Sequence, residues 1–210
     1  FPKLRFYTWD GPWLSLGRNQ NDFPQKWASF AKEGRVNIVR RPSGGNAVLH
    51  GGGLTYAFVW PNAPRRRHES YQRACKWLID GFKDLGMPLH FGDEISHLTD
   101  KHCFSQSTKA DLIDQRGNKR IGSAQFWKSS QLLQHGEILL DPPKELWEEL
   151  FDEKAPEKAP KSIPRVGLEN SLKQAWLSSL GEASLQKKVL TKRDLNELSE
   201  NAASFLVHMN

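Results

Sequence analysis

The chain has 210 residues, 38% of them hydrophobic and 10% aromatic, enough for one packed core of α/β or α+β type and too much for general disorder. Thirty Lys and Arg against 24 Asp and Glu leave a formal charge of +6, which suits an acidic partner, either nucleic acid or an acidic protein. Two cysteines cannot build a disulfide framework, no apolar run approaches the ~18 to 20 residues of a membrane span, and no signal-peptide pattern precedes Phe1, so a reducing, cytoplasmic setting is expected.

Phe1 to Gly17 reads as two short strands, LRFYTW and WLSLG, parted by the turn residues Asp10, Gly11 and Pro12. Trp27, Phe30 and Ala31 recur at helical spacing between Pro24 and Glu33, and Gly34 supplies the stop. A strand over Val36 to Val39 then delivers Arg40 and Arg41 to a glycine-rich turn. Leu54 to Trp60 follows as a β-type run. After a polar loop holding Arg65, Arg66 and Arg67, the positions Tyr71, Ala74, Cys75, Leu78, Ile79, Phe82 and Leu85 predict a long helix closed by Gly86. Pro88 to Phe91 reads as a strand and Gly92 to Gln106 as a loop.

Three further strands are expected, at Ala110 to Asp114, Lys119 to Phe126 and Gln131 to Leu140, with a hairpin turn at 115–118. A lysine opening a strand is ordinarily solvated, and a His-Gly pair within one ordinarily marks a bulge. Lys144 to Phe151 reads as a short amphipathic helix. The Pro/Lys/Glu stretch 153–166 has too few apolar residues to pack and reads as a linker, which divides the chain into a catalytic unit at 1–152 and a small helical appendage at 167–210. The appendage holds two helices, Leu168 to Leu180 and Thr191 to His208, the second opened by a threonine cap.

The chemistry concentrates in RRPSGGNAVLHGGGLTYAFVWP, residues 40–61. Glycine tolerates positive φ and lets a ligand approach the backbone, and two adjacent arginines add fixed positive charge suited to a carboxylate, phosphate or acyl carbonyl. A hairpin turn with solvated arginines would carry the same pattern. In the loop after Gly92, His97, His102 and Cys103 match none of the usual zinc spacings, so no metal is expected. Cys103, beside Lys101 and His102, is the better nucleophile candidate, because nearby positive charge favours the thiolate and Cys75 falls on the buried face of a helix.

The stretch RRPSGGNAVLHGGGLTYAF resembles the R-R-x-[ST]-G-G-x-A-V-x-H block of the biotin/lipoate protein ligase and octanoyltransferase superfamily. Lys119 to Gln125 resembles its K-x-x-G-S-A-Q block, and residues 4–17 and 133–140 match further blocks in the family's order. The resemblance implies a class II aminoacyl-tRNA synthetase-like fold, an α+β domain with a mixed, mostly antiparallel sheet flanked by helices. It also implies Cys103 as nucleophile and Lys119 as its electrostatic partner. A substrate site is implied at Arg40, Arg41, Ser43, Gly44, Gly45, His50, Thr55, Gly122, Ser123, Ala124, His135 and Gly136, with an apolar tunnel between the Leu54 to Val59 strand and the helix from Tyr71. Cys103-Phe104, and His50 followed by Leu54-Thr55-Tyr56, are similar to the cysteine octanoyltransferases. That branch implies acyl carrier protein as donor, a lipoyl domain or glycine-cleavage H-type protein as acceptor, and no cofactor. The ligase branch implies ATP and Mg²⁺ instead. A non-catalytic binding relative is the third possibility. The family's opening helix has no counterpart before Phe1, so a trimmed or divergent member is expected. Nucleic acid is not expected as partner, because the basic residues are dispersed rather than interleaved with aromatics on one face.

Overall fold

The computed structural model describes residues 1–92, 111–160, 163–181 and 185–207. Its centre is an antiparallel sheet in the order β1-β5-β9-β8-β7-β6, built from β1 (Lys3–Tyr7), β5 (Leu54–Pro61), β6 (Leu89–Phe91), β7 (Leu112–Asp114), β8 (Lys119–Lys128) and β9 (Gln131–Ile138). A second sheet of order β3-β2-β4 holds β2 (Trp13–Leu16) between β3 (Asn37–Arg40) and β4 (Val48–His50). β2 pairs parallel with β3 and antiparallel with β4. The fold class read from the sequence is therefore the one observed, with a parallel pair in an otherwise antiparallel set of described strands.

The period-2 pattern of β5 and β9 decides which side of the large sheet is dry. Leu54, Tyr56 and Phe58 on β5, with Ile138 on β9 and Ile121 on β8, point to one face and are buried. Helix α2 (Arg67–Asp84) lies against that face and contributes Ala74, Cys75, Trp77, Leu78 and Phe82. Its apolar stripe is the one expected from the sequence, and each such side chain fully removed from water is worth about 1.5 to 3 kcal/mol. Helix α4 (Arg165–Leu180) packs on α2 and adds Leu168, Leu172, Ala175 and Trp176 to the same core. The helix that the sequence sets beyond a linker thus shares the core of the large sheet. The stretch before it is held too, since the Ala159 N–H donates to the Leu140 carbonyl at 2.7 Å and Arg120 donates to the Glu157 carbonyl.

The small sheet packs its outer face, Leu14, Leu16, Ile38 and Leu49, on α1 (Gln25–Lys32) and α3 (Lys144–Phe151) through Trp27, Trp147 and Leu150. Trp27 Nε1 donates to the Leu150 carbonyl at 2.8 Å and ties the two helices together.

The two N-terminal strands go to different sheets: β1 joins β5 and β2 joins the small sheet, because Trp13, Leu14 and Ser15 find partners on both β3 and β4. Three local expectations are corrected. The last helix, α5 (Lys192–Ala202), stops well before His208 and gives way to a 3₁₀ turn at Ala203–Phe205, after which Leu206 pairs antiparallel with Val39. Lys119 is buried, and the His135-Gly136 pair lies in regular register with Ala57 and Tyr56. The irregularity falls instead between Leu112 and Ile113 of β7.

Candidate functional site

The two sheets face each other across a cavity of about 300 Å³, at the lower end of the ~300 to 1,000 Å³ usual for small-molecule sites. The wet face of the large sheet supplies Thr55 and Ala57 from β5, Leu133, His135 and Glu137 from β9, and Gly122 and Ala124 from β8. Their register sets them in rows: Thr55, Glu137 and Gly122 in one, then Ala57, His135 and Ala124. The inner face of the small sheet supplies the row Val39, Ser15 and Val48, with His50 one step further along β4. Alternation alone produces this arrangement, since residues two apart on a strand share a face.

Eleven of the sequence-predicted positions surround this space: Arg40, Arg41, Gly44, Gly45, His50, Thr55, Gly122, Ser123, Ala124, His135 and Gly136. Ser43 stands just behind, its Oγ 2.6 Å from Nε2 of His135. The apolar walls are not where the sequence set them. β5 faces the cavity with Thr55 and Ala57, whereas Leu54, Tyr56 and Phe58 and the helix from Tyr71 occupy the opposite, dry face of the sheet. One slip in assigning a strand's faces exchanges the two sets.

The arginines serve the loop. Arg40 Nη1 donates to the carbonyls of Gly17 (2.9 Å) and Gln20 (2.7 Å). Arg41 Nη1 donates to the Ser15 carbonyl at 2.6 Å, and its Nη2 to the carbonyls of Gly44 (2.9 Å) and Asn46 (2.7 Å). The guanidinium fork thus pins the glycine turn against β2 while leaving its charge at the cavity wall. Gly17 completes the arrangement, since a Cβ there would stand 1.7 Å from the Gly45 carbonyl oxygen.

At the β4 end the expected His50 and Thr55 belong to a polar cluster whose other members, Glu137 and Trp9, were not anticipated from the sequence. Glu137, 2% exposed, accepts hydrogen bonds from His50 Nδ1 at 2.9 Å and from Thr55 Oγ1. Trp9 donates from Nε1 to Thr55 Oγ1 at 2.9 Å and stacks on the His50 ring with centroids 4.5 Å apart. Gly53 makes room for the carboxylate, because a Cβ there would stand 2.1 Å from Glu137 Oε1. The signal was available in part: Glu137 follows His135 by two residues on a strand and must share its face. Tyr7, Trp9 and Ser15 carried no comparable mark.

Burial, with Arg41 and His50 adding positive charge nearby, lowers the His135 pKa from 6.5 to about 4. Its imidazole is therefore neutral at neutral pH. Ser43 and His135 have the reach of a nucleophile and its base. A base this weak beside a serine that is 1% exposed is poorly suited to activating it. Cys75 is no better, as burial pushes its thiol up to about 12.

Lys119 does not line the cavity. Its Nζ lies 2.9 Å from Asp111 Oδ2, and the two side chains are 6% and 5% exposed. Cys103 lies outside the described residues, as do His97 and His102. Among the described residues no group of three or more His, Cys, Asp or Glu side chains is arranged to hold a metal ion, and no helix is long and apolar enough to cross a membrane. What the described site offers is a half-open, largely apolar cavity with arginines and imidazoles in its lining.

Comparison with known proteins shows the family and the fold. Residues 2–189 match the lipoyl protein ligase A/B catalytic domain family. Octanoyltransferase LipM of Halalkalibacterium halodurans is 33% identical over 152 residues, which are 67% of this chain and 55% of that protein. The chain thus spans about half the length of the curated relatives it matches. Two solved structures share the fold: protein Ta0514 of T. acidophilum with bound lipoic acid, with a TM-score of 0.77 and 18% identity over 95% of this chain and 82% of that one, and lipoate-protein ligase A bound with ATP, with a TM-score of 0.74 and 17% identity over 95% and 80%. On the extent of these matches, the chain belongs to the lipoyl protein ligase A/B catalytic domain family.

Proposed function

We propose that the chain is the catalytic part of an octanoyltransferase of protein lipoylation. It takes an octanoyl group from acyl carrier protein and passes it, through a thioester on Cys103, to a lysine of a lipoyl domain or of a glycine-cleavage H-type protein. The observation that carries this reading is the cavity. Its lining combines the apolar Val39, Val48, Ala57 and Leu133 with the polar Arg41, His50 and His135, in a chain 33% identical to an octanoyltransferase over 152 residues.

In this reading the Cys103 thiolate attacks the thioester carbonyl of the donor. A new C–S bond forms, and the carrier's thiolate leaves and takes up a proton. The ε-amine of the acceptor lysine then attacks the enzyme thioester, the amide forms, and Cys103 is released as thiolate while the amine's proton passes to solvent. In this reading Lys119 is the cationic partner of the thiolate and has to exchange its contact with Asp111 for one with Cys103, and N–H groups near the glycine turn receive the oxyanion. The neutral imidazole of His135 suits the wall of an acyl site, because it adds no charge that the chain would desolvate. The exposed Arg65 and Arg66 fit the acidic surface of a carrier protein. Reversing both charges should raise KM for the carrier with little change in kcat, and an unchanged KM would move docking elsewhere.

The deciding experiment is mass spectrometry of the protein after mixing with octanoyl carrier protein. An octanoyl adduct is expected, and it disappears in Cys103→Ser. A wild type that never acquires the adduct defeats the proposal. Lipoate-dependent pyrophosphate release that survives Cys103→Ser would establish instead the ATP-dependent ligase chemistry, with Mg²⁺, of the kind suggested by the neighbour bound with ATP.

A further inference from the structure

We infer that Phe205 is a specificity-determining wall of the cavity, carried there by a strap of backbone that docks on the open edge of β3. The inference rests on the acyl reading of the cavity given above.

Strand order creates the opening. In the small sheet β2 lies between β3 and β4, so His50 and its partners Glu137, Thr55 and Trp9 stand on the β4 side, whereas Val39 stands on the outer strand at the other side. A strand at the edge of a sheet presents unpaired N–H and C=O groups to anything that can meet them. Here Leu206 meets them: it pairs antiparallel with Val39, and the N–H of Val207 donates to the Ile38 carbonyl at 3.1 Å. Val207 packs against the core of the small sheet. The residue before this pair is Phe205, and Phe205 lines the cavity. The walls then run from the His50 and Glu137 cluster, across Ser15 and Val39, to an aromatic ring on the far side.

Two further observations mark Phe205 as a wall rather than part of the core. Its side is 45% exposed, so the ring divides its surface between cavity and solvent. The helix that leads to it, α5, buries none of its residues, and Leu195 and Leu198 remain 51% exposed each. α5 is organised locally instead, by a capping box in which Thr191 and Asp194 each satisfy the other's backbone N–H. The strap is consequently attached at Leu206 and Val207, next to the cavity, and only weakly along the helix before them. In the acyl reading the ligand is an apolar unbranched chain, and the apolar lining residue next to Phe205 is Val39, which pairs with Leu206. Removing the ring lengthens the slot at this end, and enlarging it shortens the slot.

The test measures direct binding of free octanoic, decanoic and dodecanoic acids by calorimetry, with no transfer reaction required, to the wild type, Phe205→Ala, Phe205→Trp and Val207→Pro, after thermal unfolding has established that each variant is folded. Each methylene given an apolar site adds about 0.8 kcal/mol, so room for two more carbons changes the preference for decanoic over octanoic acid by roughly tenfold. Phe205→Ala is expected to shift that ratio toward the longer acid by this factor and Phe205→Trp to shift it the other way. Val207→Pro, which deletes the N–H that holds the strap, is expected to weaken the discrimination in the same sense as Phe205→Ala. An unchanged ranking of the three acids across all four proteins overturns the role of Phe205 and leaves the acyl cavity standing. A wild type that binds none of the acids removes the acyl reading and this inference with it.

Discussion

Acidification should unfold this protein partly through one histidine. His135 is half-buried in the cavity wall, and its pKa falls from the ordinary 6.5 to about 4, chiefly by desolvation and then by the positive charge of Arg41 and His50. The sign follows from proton counting. Above pH 6.5 neither the folded nor the unfolded chain holds a proton on this ring, so it costs nothing. Between pH 6.5 and about 4 the unfolded chain takes up a proton that the folded chain refuses, so stability is lost as pH falls through that window. The gap between the two values, at about 1.36 kcal/mol per pH unit, corresponds to about 3 kcal/mol across the whole window. Urea unfolding at about pH 7.5 and about pH 4.5, on wild type and His135→Gln, isolates the contribution, because glutamine has nothing to titrate and keeps a polar group opposite Ser43. The wild type should lose about 2 to 3 kcal/mol more than the variant between the two pH values. Carbon-proton NMR of the His135 ring should place its midpoint near pH 4. A midpoint near 6.5, or parallel pH dependences for the two proteins, would refute the reasoning.

Other expected outcomes follow from single contacts. Gly17→Ala sets a Cβ 1.7 Å from the Gly45 carbonyl oxygen, so the turn pinned by Arg41 must move; thermal unfolding should show a loss of about 1 to 3 kcal/mol, as for other overpacked sites, and wild-type stability would contradict the packing. Glu137→Gln preserves volume but changes the partner of His50 and Thr55; a cost of about 1 to 3 kcal/mol in urea unfolding is expected, and a neutral result would mean the carboxylate is not needed as an acceptor. Iodoacetamide at neutral pH should leave Cys75 unmodified in the folded protein and label it after denaturation, since burial holds the thiol at about 12; peptide mapping that finds Cys75 alkylated under native conditions would show that α2 opens readily.

Much of the architecture was legible because it is written in local periodicity. The stripe Ala74, Cys75, Leu78 and Phe82 sets α2 by itself, and Thr191 with Asp194 opens α5 by a capping contact three residues long. The motif residues were legible as well, since Arg40, Arg41, Gly44, Gly45, His50, Thr55, Ser123 and His135 fall in blocks whose order resembles a family. Their partners were not. Arg41 meets the carbonyls of Ser15, Gly44 and Asn46, and Glu137 reaches His50 and Thr55 from more than eighty positions away; no spacing in the chain encodes such pairs.

The composition and period of the chain by themselves determined a packed domain of α/β or α+β type with its helices, strands and the glycine turn with its two arginines, and the family resemblance narrowed the class to α+β. Only the tertiary structure decided that this turn is stapled by its own arginines, that the open face of β5 is Thr55 and Ala57, that α4 joins the core of α2, and that Phe205 returns to the edge of β3. The reason is physical. Helices and strands answer to neighbours three, four or two residues away, whereas the face a strand offers, and the edge a distant segment covers, depend on which surfaces are left to bury once those elements have packed.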